Sequence, residues 1–176
     1  MMVLMDRTKA SENASCADNQ QERLQKIDPW YISGFVDGEG TFHVSFAKRQ
    51  DLPQQWAIIP EFHVSQHRDR ASVLDEIQKY FDCGTIRDNH RGRANDVTRV
   101  LVVRNRRDLL DKILPFFQRY PLRSQKQDDF RTFAEIVTAM ERGNHRIPEG
   151  FRSIATKAFQ MNGGGRYRKR KIEDLF

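Results

Sequence analysis

The sequence predicts an α+β fold: an αββαββα unit with extra C-terminal helices, in which an antiparallel four-stranded sheet has helices on one face and leaves its other face wet. Three observations predict it. Segments 41–49 and 56–68 alternate apolar and polar residues with period two, and a second strand pair follows at 85–91 and 97–104. The segments between and after these pairs carry apolar residues at helical spacing. With 176 residues, 38% of them hydrophobic and 12 of them phenylalanine, the chain has the size of one domain with a sizeable core.

Residues 1–26 are polar without an apolar period, which predicts a flexible N-terminal extension ahead of a folded unit over 27–162. Asp28 can cap a helix that has Pro29 at its first position and Trp30, Ile32, Phe35 and Val36 as its apolar surface. That helix ends in three glycines and two carboxylates packed into positions 34–40, an odd finish for a buried helix. In the next strand Phe42, Val44 and Phe46 share one face, and "DLPQQ" is a turn. The following strand turns Phe62 and Val64 inward. From Asp69 a helix carries Val73, Leu74, Ile77 and Phe81 and stops at "DCG" with Gly84. The second strand pair turns around Gly92 and Asn95. Amphipathic helices follow at 107–117, 127–140 and from Pro148 to about Met161, before a basic tail, 163–176, that is expected to be flexible.

The formal charge is +6 and unevenly placed: residues 104–176 hold seventeen Lys and Arg against nine Asp and Glu, whereas 28–103 hold nine against eleven. Such a balance points to a polyanionic partner. Cys16 and Cys83 are too few and too distant for a disulfide framework, so a reducing, intracellular setting is expected, either cytoplasm or nucleoid or an organelle matrix. No stretch approaches a membrane span, and no membrane partner is expected. The outward strand positions of the wet face are Thr41, His43, Ser45, Arg49, Glu61, His63, Ser65, Arg87, Asn89, Arg91 and Arg99. Arginines, histidines and small polar residues suit contact with the phosphates and base edges of a nucleic acid.

"ISGFVDGEG" at 32–40 resembles the nine-residue signature of the LAGLIDADG homing endonucleases, with glycine, acid, small residue, acid and glycine in the expected places. Two further blocks, "FHVSQHRDRASVLDEIQKYFDCGTIRD" at 62–88 and "LPFFQRYPLRSQKQDDF" at 114–130, fall in the family's order and spacing. The resemblance implies a saddle-like sheet and a site-specific endonuclease that hydrolyses one phosphodiester bond per strand of a long pseudo-palindromic site in double-stranded DNA. Gly34 and Gly38, four apart, share a helix face on which another backbone can approach closely. One motif is present, and the resemblance implies that one-motif chains pair there as homodimers.

The resemblance further implies that Glu39, where many relatives carry Asp, holds Mg²⁺ (or Mn²⁺) together with backbone near Gly38. Glutamate is one methylene longer and still a hard oxygen ligand. Asp37 reads as a hydrogen-bonding residue at the helix end, where backbone groups are unpaired. Gln66 and Arg70 match family positions that organise solvent and the scissile phosphate. Ser124 stands where relatives often have lysine, so Lys126 is expected to supply the catalytic cation, with Arg123 as the neighbouring alternative. His63 and His67 lie on a strand with no cysteine or third convergent ligand, which argues against zinc. The same fold also serves RNA maturases, which bind host intron RNA, and a DNA-binding regulator without nuclease activity would need no metal.

Overall fold

The computed structural model describes residues 27–89, 97–165 and 170–176. Helix α1 (Pro29–Glu39) begins where the Asp28 carboxylate accepts hydrogen bonds from the backbone N–H groups of Trp30 and Tyr31. It runs without a loop into β1 (Gly40–Lys48). A Cβ at Gly40 would lie 2.5 Å from Val36 Cγ1 and 2.7 Å from the Val36 carbonyl oxygen, so only glycine makes this abrupt change from helix to strand.

Strand β2 (Trp56–His67) pairs antiparallel with β1, Gly40 facing Val64 at one end and Lys48 facing Trp56 at the other. After a 3-10 turn (Arg68–Arg70), α2 (Ser72–Phe81) turns Leu74, Ile77 and Phe81 into the core. Strands β3 (Thr85–Asp88) and β4 (Thr98–Val103) complete an antiparallel sheet of order β1-β2-β4-β3, which makes β2 and β4 its central strands. The turn expected around Gly92 and Asn95 lies outside the described residues.

Helix α3 covers residues 106–119 and is wound as a π-helix over Leu109–Ile113 before its last segment, Leu114–Arg119. Pro115 has no N–H to give an i→i−4 bond, and the wider turn ahead of it lets the helix continue through proline. Helices α4 (Lys126–Glu141) and α5 (Pro148–Gly165) pack beside it against the sheet. The centre of the core is aromatic. Phe42 of β1 lies 5.2–5.4 Å by ring centroid from Phe62, Phe117, Phe130 and Phe133, which joins two strands to α3 and α4. Each such side chain contributes on the order of 1.5–3 kcal/mol by leaving water.

The described part of the expected basic tail is packed against the domain. Helix α5 continues to Gly165, and the last residues form a 3-10 turn (Ile172–Leu175) held against the domain. Leu175 is buried, Phe176 stacks edge-on against Phe151 at 6.2 Å, and the Arg170 guanidinium lies 4.7 Å above the Trp56 ring. Leu175 and Phe176 dock this last segment, and net charge alone overlooks them.

Candidate functional site

The two carboxylates that end α1 have different surroundings. Asp37 turns inward: its carboxylate accepts from the backbone N–H of Arg123 at 3.0 Å, the backbone N–H of Ser124 at 3.0 Å and the Ser124 hydroxyl at 2.5 Å. Partial burial pushes its pKa up, but these donors and nearby Lys126 outweigh that and hold it below the usual carboxylate range. Glu39 is exposed. Asp37 is a hydrogen-bonding residue, but its partners lie in the loop before α4, which it fastens to the end of α1, and Glu39 is left exposed.

Lys126 is at the same helix end. Its ammonium donates to the carbonyl oxygens of Asp37 at 2.8 Å, Val36 at 2.9 Å and Gly38 at 3.4 Å. The Val36 carbonyl already accepts from the Gly40 N–H, and the lysine adds a donor where α1 ends and offsets the negative end of its dipole. Burial lowers the ammonium pKa, against the opposing pull of Asp37, Glu39 and Asp129. Arg123 is drawn elsewhere, with its guanidinium 5.9 Å from the Trp30 ring.

Gln66 stands near the end of β2, two residues past Val64, which faces Gly40 at the start of β1, and its partner in the ladder is Arg99 of β4. The Gln66 side-chain oxygen accepts from the His67 backbone N–H at 2.7 Å. Arg70 lies just beyond, exposed in the 3-10 turn. On the outer face of α1, added Cβ atoms at Gly34 and Gly38 would meet nothing within 4 Å, and Tyr31 beside them is 54% exposed. Helix α1 thus shows the rest of the domain one face, with Ile32, Ser33 and Val36, and leaves a smooth, partly aromatic face outward.

As a metal site the donors fit a hard divalent cation only in part. The Glu39 carboxylate and the adjacent helix-end carbonyls are oxygen ligands of the kind Mg²⁺ takes. No group of three or more His, Cys, Asp or Glu side chains converges among the described residues, so a protomer supplies a fragment of a coordination sphere that phosphate and water would complete.

Strand parity sorts the expected wet-face residues. Thr41, His43, Ser45, Glu61, His63, Ser65 and Arg87 share the face opposite the core, and Asn89 follows Arg87 in register. Arg91 lies outside the described residues. Three expectations need correction. Arg99 has the parity of Leu101 and Val103, both in the core, and faces Gln66 across β2, so it stands on the helix side of the sheet's end. The strand ladder makes Val100 and Val102 the outward residues instead. Arg49 lies past the end of β1, where its guanidinium forms a forked pair with Asp51 in the turn, at 2.7 and 2.8 Å. Glu61 points outward but is covered, with 7% of its side chain exposed beneath His63 and Arg104.

Arg104 itself is absent from the expected set although it closes the predicted strand 97–104, because a reading that turns Arg99 outward turns Arg104 inward, and only the pairing with β2 reverses the two.

A family model described as LAGLIDADG endonuclease matches residues 32–137, from α1 into α4. A protein of Neurospora crassa named probable intron-encoded endonuclease 3 is 28% identical over 139 residues, covering 79% of this chain and 25% of its own length. The chain spans about a quarter to a third of the length of the first curated relatives it matches. Among solved structures, the homing endonuclease I-TnaI is 35% identical over 85% of this chain and 94% of its own, with a TM-score of 0.74. The LAGLIDADG homing endonuclease I-LtrWI, bound to target DNA, is 32% identical over 77% of this chain and 45% of its own, with a TM-score of 0.72.

Proposed function

Because the chain belongs to the LAGLIDADG endonuclease family, we propose that it is a site-specific DNA endonuclease that works as a homodimer with a divalent metal, Mg²⁺ or Mn²⁺, and hydrolyses one phosphodiester bond in each strand of a long pseudo-palindromic site. The observation that carries this reading is the division of labour at the end of α1: Asp37 is engaged by Ser124 and Arg123, while Glu39 beside it stays exposed.

The dimer is supported by the open face at Gly34 and Gly38, which lets a second helix approach to backbone distance. Size supports it too. The chain matches 45% of DNA-bound I-LtrWI, so two copies supply what that longer chain carries. Pairing α1 with its twofold mate would bring two Glu39 carboxylates to the same neighbourhood, one for each DNA strand.

Glu39 and the Gly38 carbonyl would hold the metal, which when bound supplies an activated water and a stabilised leaving oxygen. Within that site Gln66 and Arg70 orient solvent and the scissile phosphate. Lys126 holds the helix end and adds positive charge beside Glu39. The wet face of the sheet, apolar at Ala47, Ala57, Ile59, Val100 and Val102 and largely polar at its other outward positions, lies along the DNA.

The test is Glu39→Gln. The variant should keep its fold and bind DNA, yet lose strand cleavage, since the neutral amide is a poor ligand for a hard cation. A randomised duplex library incubated with Mg²⁺ reads out cleavage and target together, and full cleavage by the variant would overturn the assignment. A chain that binds a structured RNA and ignores every duplex would instead identify a maturase.

A further inference from the structure

The wet face contains one ion pair unlike the rest. Glu61 faces Arg104 in the β2–β4 register, one step beyond the Phe62–Val103 pair, so both belong to the sheet's central strands or their direct extension. The Arg104 guanidinium meets Glu61 Oε1 through both Nε and Nη2. Exposure is strongly asymmetric, 7% for the Glu61 side chain against 58% for Arg104. From the other side His43 faces Glu61 across β1, and His63 Nε2 lies 3.4 Å from Glu61 Oε2.

A carboxylate shielded from water on an otherwise solvated face is costly unless its partners compensate it. Burial pushes the Glu61 carboxyl pKa up, and the adjoining His63 and Arg104 more than reverse this, holding it at about 2. The acid is therefore anionic and hidden, and the positive group above it is what the face presents. The exposed Arg49–Asp51 pair differs, because both its members stand in solvent, 57% and 61% exposed, and present no net charge.

We propose that Arg104 is a base-reading residue, oriented from below by Glu61, and that it recognises a guanine in the major groove of each half-site. This rests on the DNA-endonuclease reading above and adds the residue and the base it selects. The chemistry follows from the fork. Nε and one Nη2 hydrogen point at Glu61, and the opposite edge, Nη1 with the second Nη2 hydrogen, has the spacing of guanine O6 and N7. A guanidinium already fixed by a carboxylate also has little rotamer freedom left to lose when it binds. Glu61 acts through Arg104 as a positioning residue and touches no base.

The experiment selects a randomised duplex library for binding to the full chain and sequences what is retained, comparing wild type with Arg104→Ala, Arg104→Lys and Glu61→Gln. Wild type should show guanine at one position per half-site, and Arg104→Ala should lose that preference by roughly ten-fold or more while other positions hold. Arg104→Lys should relax the same position, since an ammonium cannot span O6 and N7. Glu61→Gln should relax it too, with its melting curve confirming a folded protein. If wild type recovers no DNA motif, the endonuclease reading itself fails. If a motif is recovered and Arg104→Ala leaves it unchanged, or weakens every sequence equally, Arg104 reads no base and this inference is wrong.

Discussion

Ser124 gives both its hydroxyl, at 2.5 Å, and its backbone N–H, at 3.0 Å, to the carboxylate of Asp37. One residue thereby ties the start of α4 to the end of the motif helix, 87 residues earlier in the chain. Asp37→Ala strands three donors at once, whereas Ser124→Ala strands none of the backbone ones. Asp37→Ala should cost about 1–3 kcal/mol of stability and Ser124→Ala about 1 kcal/mol, read from urea denaturation. Equal losses would mean that the backbone donors contribute nothing.

Lys126 makes a separate contribution at the same place. Lys126→Met keeps the length and apolar stem of the side chain but takes the ammonium away from the Asp37 and Gly38 carbonyls, while Val36 keeps its bond from the Gly40 N–H. The variant should melt lower, by an amount equivalent to about 1 kcal/mol, and amide hydrogen exchange should quicken at the end of α1 more than in α2. Unchanged exchange there would show that the lysine does not cap the helix.

Gly34→Leu adds a side chain where the protomer has open space, so the monomer fold should be unharmed. If α1 forms the proposed dimer interface, sedimentation should report a dimer for wild type and a monomer for the variant, and cleavage should fall with it, because overpacking a close helix contact typically costs ~1–3 kcal/mol. A normal dimer from this variant moves the interface to another surface.

Acid stability gives a further check. Glu61 has its pKa lowered from 4.5 to about 2 in the folded protein. A depressed carboxylate contributes stability that is fully present above the unfolded value and is lost as pH falls toward the folded one. Wild type should therefore lose stability between about pH 4.5 and 2 more steeply than Glu61→Gln, as followed by thermal melts across that range. Parallel curves would remove the ion pair from the acid response.

Arg87 and Arg99 should behave differently from one another. Arg87 faces Val100 on the wet side and Arg99 faces Gln66 on the helix side. Arg87→Ala should relax preference at particular base pairs, whereas Arg99→Ala should leave the preference profile alone, both read by library selection. The reverse pattern would invert the face assigned to β4.

The sequence by itself determined the order of elements, the inward residues Phe42, Val44, Phe62 and Val64, and the motif at 32–40, because period and spacing are local properties of a chain. It also marked Asp37 as a hydrogen-bonding residue, whereas the role expected of Glu39 came only from the resemblance to the family. Tertiary structure alone decided who meets those residues. That Ser124 and Lys126 close on α1, that Glu61 is covered by Arg104, and that residues 170–176 fold back onto Trp56 and Phe151 all depend on contacts between segments far apart in the chain. Arg99 shows the limit most directly. A run of valines and leucine buried on both sides has no alternation from which to read a face, so only pairing with β2 and β3 assigns one.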